Sequence, residues 1–130
     1  MPSETNAKVE KMTSVQDAQG VAQPPASDAE GYVSSDGVDI STSGSKTVTP
    51  DVPGRATQMF ILVEADAAFK VELVLPDSGI TRGPNQNSDF ASSDGSQVAQ
   101  VVAVYSPTVQ VKISDTSGGA NTAKYDVRVV

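Results

Sequence analysis

The feature that most constrains this chain is a strict alternation of apolar and polar side chains, repeated in short blocks from residue 68 to the end. Residues 68–75 set Phe69, Val71, Leu73 and Leu75 on one side and Lys70 and Glu72 on the other. Residues 108–114 do the same with Val109, Val111 and Ile113 against Gln110 and Lys112. Residues 123–130 repeat it with Ala123, Tyr125, Val127 and Val129 against Lys124, Asp126 and Arg128. Successive side chains of an extended strand point to opposite faces, so this period predicts strands with one dry and one wet face. At 3.6 residues per turn a helix would scatter the same apolar residues around its axis.

Earlier blocks extend the pattern. Residues 97–105 place Val98, Val102 and Val104 on one face and Val101 and Tyr105 on the other. Residues 57–65 are continuously apolar at their centre, which predicts a strand buried on both faces. Val38-Asp39-Ile40 and Lys46-Thr47-Val48-Thr49 flank Ser43-Gly44-Ser45, which predicts a tight hairpin, and Pro50, Pro53 and Gly54 then break the chain. Seven such strands with no helical segment between them predict an all-β, antiparallel β-sandwich, immunoglobulin-like or jelly-roll in topology.

The texture changes near residue 36, which divides the chain into an extended N-terminal arm (1–36) and a sandwich domain (37–130). The arm is rich in Ser, Ala, Gln, Asp and Pro. A weak helical stripe runs through Ala7, Val9, Met12 and Val15 after Thr5 or Asn6, and Gln23-Pro24-Pro25-Ala26-Ser27 reads as a linker. Such a segment cannot bury enough apolar surface to fold alone. Val9, Met12, Val15 and Val21 have no place in the core and are expected to dock on a partner.

Within the domain, residues 76–96 form a connection longer than most compact domains carry, and such loops tend to be functional or mobile. Asp77, Arg82, Asn87, Asp89, Phe90 and Asp94 are its expected exposed residues, with Phe90 the aromatic at the tip. Its acidic and amide side chains suit Ca²⁺, but their spacing does not follow the helix–loop–helix calcium pattern, so no metal and no cofactor are expected.

Catalysis is poorly provided for. There is no Cys and no His, which removes thiolate chemistry, the commonest general base and the commonest metal ligand. No Gly-x-Ser-x-Gly elbow, Ser-x-x-Lys box or phosphate-cradling Gly-rich run occurs. Glu64 and Asp66 share a strand face but sit at a strand end beside two alanines, without a Trp to stack a sugar. A non-enzymatic protein is expected.

Eleven Asp and five Glu against six Lys and three Arg give a net charge of −7, which argues against nucleic acid, since phosphate contacts need clustered cations. The acidity serves solubility or adaptation to high salt. No apolar run approaches a membrane span, and the opening Met-Pro-Ser-Glu-Thr-Asn has neither a basic start nor an apolar stretch. Synthesis in the cytoplasm without a signal peptide is the expectation. Only 38% of residues are hydrophobic and six are aromatic, so the core is thin and association with neighbours is expected to support it.

A long arm on a compact β-sandwich, without His, Cys or signal peptide, resembles the small structural proteins of tailed viruses, decoration (cement) proteins above all. The Asp, Val, Ser and Thr bias is similar to that of haloarchaeal virus proteins. The resemblance implies a protein on the virion surface that binds the major shell subunits, assembles as a homo-oligomer with a trimer favoured, and lays its arm across neighbours. A tail or spike component, and a receptor- or glycan-binding sandwich, are the alternatives.

Overall fold

A computed structural model of the protein describes residues 31–86 and 88–130. The arm residues Val9, Met12, Val15 and Val21, and Asn87 of the long loop, lie outside the described residues.

Nine strands build the domain: β1 (Tyr32–Asp39), β2 (Ser45–Val48), β3 (Gln58–Ala65), β4 (Phe69–Leu75), β5 (Ile80–Arg82), β6 (Ala91–Ser92), β7 (Val98–Ala103), β8 (Gln110–Asp115) and β9 (Thr122–Val129). A single 3-10 turn, Ser88–Phe90, is the only helical element among the described residues. The first sheet runs β1-β9-β3-β7 and the second β2-β8-β4-β5, with β6 on the same edge of β4 as β5. Every pairing is antiparallel.

With β5 and β6 taken as one interrupted strand, the chain alternates between the sheets at almost every step. This is the double Greek key of a jelly roll, and it decides between the two topologies that the strand pattern left open.

The core is what the alternation predicted. Met59, Ile61, Val63 and Ala65 of β3, Phe69, Val71 and Leu73 of β4, Val98 and Val102 of β7, Val111 and Ile113 of β8, and Ala123, Tyr125, Val127 and Val129 of β9 are all buried between the sheets. Most are β-branched, which suits a pleated surface, and each Val, Ile, Leu, Met or Phe among them contributes roughly 1.5–3 kcal/mol by leaving water.

Four expectations need correction. The hairpin around Ser43-Gly44-Ser45 is instead a corner: β1 pairs with β9 and β2 with β8, in different sheets. Ile40 and Val48 are both buried, and reaching the core from opposite sheets requires the chain to cross between them. The crossing turn holds Thr42 and Ser43 at φ 58° and 63° and closes through Gly44 N–H donating to Ser41 O at 3.1 Å.

The boundary drawn after residue 36 falls inside β1, which begins at Tyr32. Its pattern is blurred by a register shift between Ser35 and Val38. At its start, Gly31 adopts φ +85°, and a Cβ there would lie 2.7 Å from Val129 O, so only glycine fits; Val129 N–H donates to Gly31 O at 2.8 Å.

The strand predicted to be dry on both faces is dry on one. Phe60 and Leu62 point away from the core, and Leu62 is 42% exposed. Phe90, expected at a loop tip, is fully buried. A side chain with no polar atom gains more in the core than in water, and the loop folds back as the 3-10 turn and β6 to put it there.

Candidate functional site

The two outer faces of the sandwich differ in kind. Across the second sheet, the outward rows read Thr47–Lys112–Glu72 and Gln110–Val74–Thr81, a polar surface with Lys70 3.9 Å from Glu72. The first sheet presents an apolar strip. Register places Tyr32 opposite Arg128, Arg128 opposite Phe60, and Phe60 opposite Val101, one residue from each of the four strands in one row. The next row is Ser34–Asp126–Leu62–Ala99. Val101 is 56% exposed, and Ala99 and Ala103 beside it on β7 are exposed too.

Cross-strand contacts organise this face. The Arg128 guanidinium lies 5.5 Å from the centre of the Phe60 ring, a cation–π arrangement, while its Nε is 3.7 Å from Asp126 Oδ1 and makes no hydrogen bond. Tyr32 donates its hydroxyl to Asp126 Oδ2 at 2.9 Å. Asp126 therefore anchors Tyr32 and faces Arg128, which leaves Phe60, Leu62, Ala99 and Val101 as the apolar part of a shallow depression beside that charge pair.

A second apolar feature opens between the sheets at one end, lined by Met59, Leu73, Leu75, Val104 and Val109, with Ile80 and Tyr105 at its mouth. These two are 60% and 71% exposed. Sequence reasoning singled out neither for this role, because β5 is too short to show a pattern and Tyr105 lies just past the end of β7.

The long loop does not converge on a site. Asp77 accepts a 2.8 Å hydrogen bond from Thr108 Oγ1. Arg82 sits 5.8 Å from the centre of the Phe90 ring, on the flank of the core. Asp89 is exposed in the 3-10 turn, and its carbonyl lies 3.5 Å from Gln100 Nε2. Asp94 caps its own turn, accepting from Ser92 Oγ at 3.1 Å and Ser96 N at 3.0 Å, and these bonds hold its carboxyl below the ordinary range. Among the described residues no three His, Cys, Asp or Glu are grouped to hold a metal ion, and no helix is long and apolar enough to cross a membrane. Glu64 faces Lys124 in register at an exposed strand end.

A buried polar knot closes the opposite end. Asp115 accepts from Ser43 N at 2.8 Å, Ser117 N and Gly118 N at 3.0 Å, and the Ser117 hydroxyl. Asn121, also buried, accepts from Ala67 N at 3.0 Å and donates to Ala68 O at 3.0 Å. The bonds to Ser117 and Gly118 shape the turn after β8, and those to Ser43, Ala67 and Ala68 tie that turn to two other loops, so the knot is a fastening.

No protein-family model matches the sequence, and a search of curated proteins finds no significant relative. Among solved structures the chain is similar to a family 29 carbohydrate-binding module, a mutant complexed with mannohexaose, at 11% identity and a TM-score of 0.40 over 78% of this chain and 82% of that one. A second mutant of the same module gives 10% identity and a TM-score of 0.39 over 77% and 82%. Likeness at this level says nothing about what this chain binds.

Proposed function

We propose that the protein is a non-enzymatic structural component of a virus particle, a decoration protein that binds the shell of major subunits through the outer face of its first sheet and the segment preceding β1. The observation that carries the reading is the inequality of the two outer faces: one is polar, the other exposes Leu62, Ala99 and Val101 beside a half-buried Phe60. Contiguous apolar surface of this kind marks a face that is covered in the working assembly. Jelly rolls serve as capsid and lectin domains alike, so the fold does not choose between partners. In this reading the protein is made in the cytoplasm and resides on the virion surface, touching neither nucleic acid nor membrane.

The test is rebinding. Particles from the producing culture, stripped of the protein, are offered the wild type and Leu62→Lys. Regular surface sites filled by the wild type, with affinity reduced at least about tenfold in the variant, are the expected result. Particles that neither contain nor rebind the protein would overturn the proposal.

A second reading is favoured by one row of residues. Tyr32 and Phe60 set two aromatic rings on either side of Arg128 with Asp126 beside them, and rings among hydrogen-bonding groups suit a sugar. Glycan binding by the full chain that disappears in Phe60→Ala selects this reading over the first.

A further inference from the structure

We infer that β7 is a self-pairing edge, and that two copies of the protein join antiparallel along it into one eight-stranded sheet. The edges of the sandwich are guarded unequally. Unpaired strand edges invite other strands, and proteins blunt them with charge, proline, bulges or brevity. β1 carries Asp36 and Asp39 and a register shift after Ser35. β2 has four residues, includes Lys46, and is followed closely by Pro50. The remaining edge is divided between β5 and β6, of three and two residues. β7, Val-Ala-Gln-Val-Val-Ala, has six residues with no charge, proline or bulge, and the Ser88–Phe90 turn lies against it at Gln100.

Charge singles out the same strand. The chain carries −7 overall, so a contact between two copies is repulsive wherever carboxylates meet. From Gly95 to Val111 no residue is charged. On the outer face Asp126 and Arg128 lie two strands away on β9, about 10 Å from β7, and Glu64 of β3 lies beside Gln97, just before β7 begins. Asp89 approaches β7 through its backbone carbonyl.

A two-fold axis at Val101 sets Val101 against Val101 and Ala99 against Ala103. Outward residues then continue across the joint, and the strip Phe60–Val101 of one copy runs into Val101–Phe60 of the other. Main-chain hydrogen bonds supply the pairing and the joined strip supplies the dry contact, the logic of strand addition at an exposed edge. This pairing does not depend on the virion reading, and it gives a dimer where the resemblance favoured a trimer.

Light scattering of the full-length chain at about 100 μM tests it, a concentration at which a modest edge contact is populated. The expected mass is twice 13.4 kDa. Val101→Lys and Ala99→Lys, both at exposed positions, are expected to weaken the dimer at least about tenfold, while Thr47→Lys on the other sheet leaves it intact. Hydrogen exchange on the wild type gives a readout without mutation: amides of β7 gain protection as concentration rises. A monomer or trimer, a dimer indifferent to both β7 lysines, or β7 exchange independent of concentration would overturn the inference.

Discussion

The side-chain amide of Asn121 donates a 2.9 Å hydrogen bond to Oδ1 of Asp115, and between them these two residues fasten three loops at one end of the sandwich. Asp115 holds the β1–β2 corner through Ser43 N, and Asn121 holds the β3–β4 turn through Ala67 and Ala68. The backbone of Asn121 completes the tie, its N–H donating to Ser41 Oγ at 2.8 Å and its carbonyl accepting from Ile40 N at 3.0 Å.

Asn121→Ala removes this fastening while leaving the strands untouched. The amide of Ala67 loses its partner in a half-buried place and Asp115 loses a donor, while Ala68 O keeps its bond from Thr116 N; an unmet polar group of this kind costs about 1–3 kcal/mol. Denaturant unfolding is expected to show a loss of about 2–4 kcal/mol at unchanged m-value.

Acid should act through the same knot. Hydrogen bonds from the Ser117 hydroxyl, the Asn121 amide and the Ser43 N–H hold the Asp115 carboxyl far below the ordinary value of 3.8. Asp39, bonded by Ser41, and Asp94, bonded by Ser96 and Ser92, shift the same way. Folding therefore favours the ionised forms, so their contribution is whole above pH 3.8 and is lost as pH falls from there toward the depressed native values. Melting followed from pH 6 to pH 2 is expected to decline through that window, and Asp115→Asn to decline less steeply.

Phe90→Ala separates a core role from a recognition role. Full burial beside β4 and β7 predicts a loss of about 3–4 kcal/mol, as other buried phenylalanines show. A variant of unchanged stability would contradict the packing.

Salt dependence tests the acidic surface. Unscreened carboxylates in a chain of net charge −7 repel, so the melting temperature is expected to rise from dilute buffer to molar salt. Indifference to salt over that range would remove the case for adaptation to brine.

How much of this was readable from the chain depends on the length of each element. β4, β7, β8 and β9 each carry enough residues for alternation to declare the inward face, and their buried residues are the ones it names. β5 and β6 have three and two residues, too few for any period, so they read as loop. β1 was missed in part because its register shift moves the pattern by a step within a mostly polar stretch. Phe60 and Leu62 show a deeper limit. A continuous apolar run announces that both faces of a strand avoid water, but it does not say whether the second face meets this chain or another. Phe90 carries a signal of its own: a lone ring without polar atoms in a polar loop is an anchor before it is a probe.

The placement of Gly31 has a mechanical consequence. β1 is joined to its sheet by β9 alone, and its first rung is the bond between Gly31 and Val129. Any tension carried by the preceding residues enters the domain there. Pulled sideways from the edge, the ladder opens one rung at a time, like a zip, beginning at Gly31. Pulled along the strand, every rung from Tyr32 to Asp39 bears load together. The same tether is thus weak in one direction and strong in another, and the angle at which it is drawn sets the force at which the domain lets go.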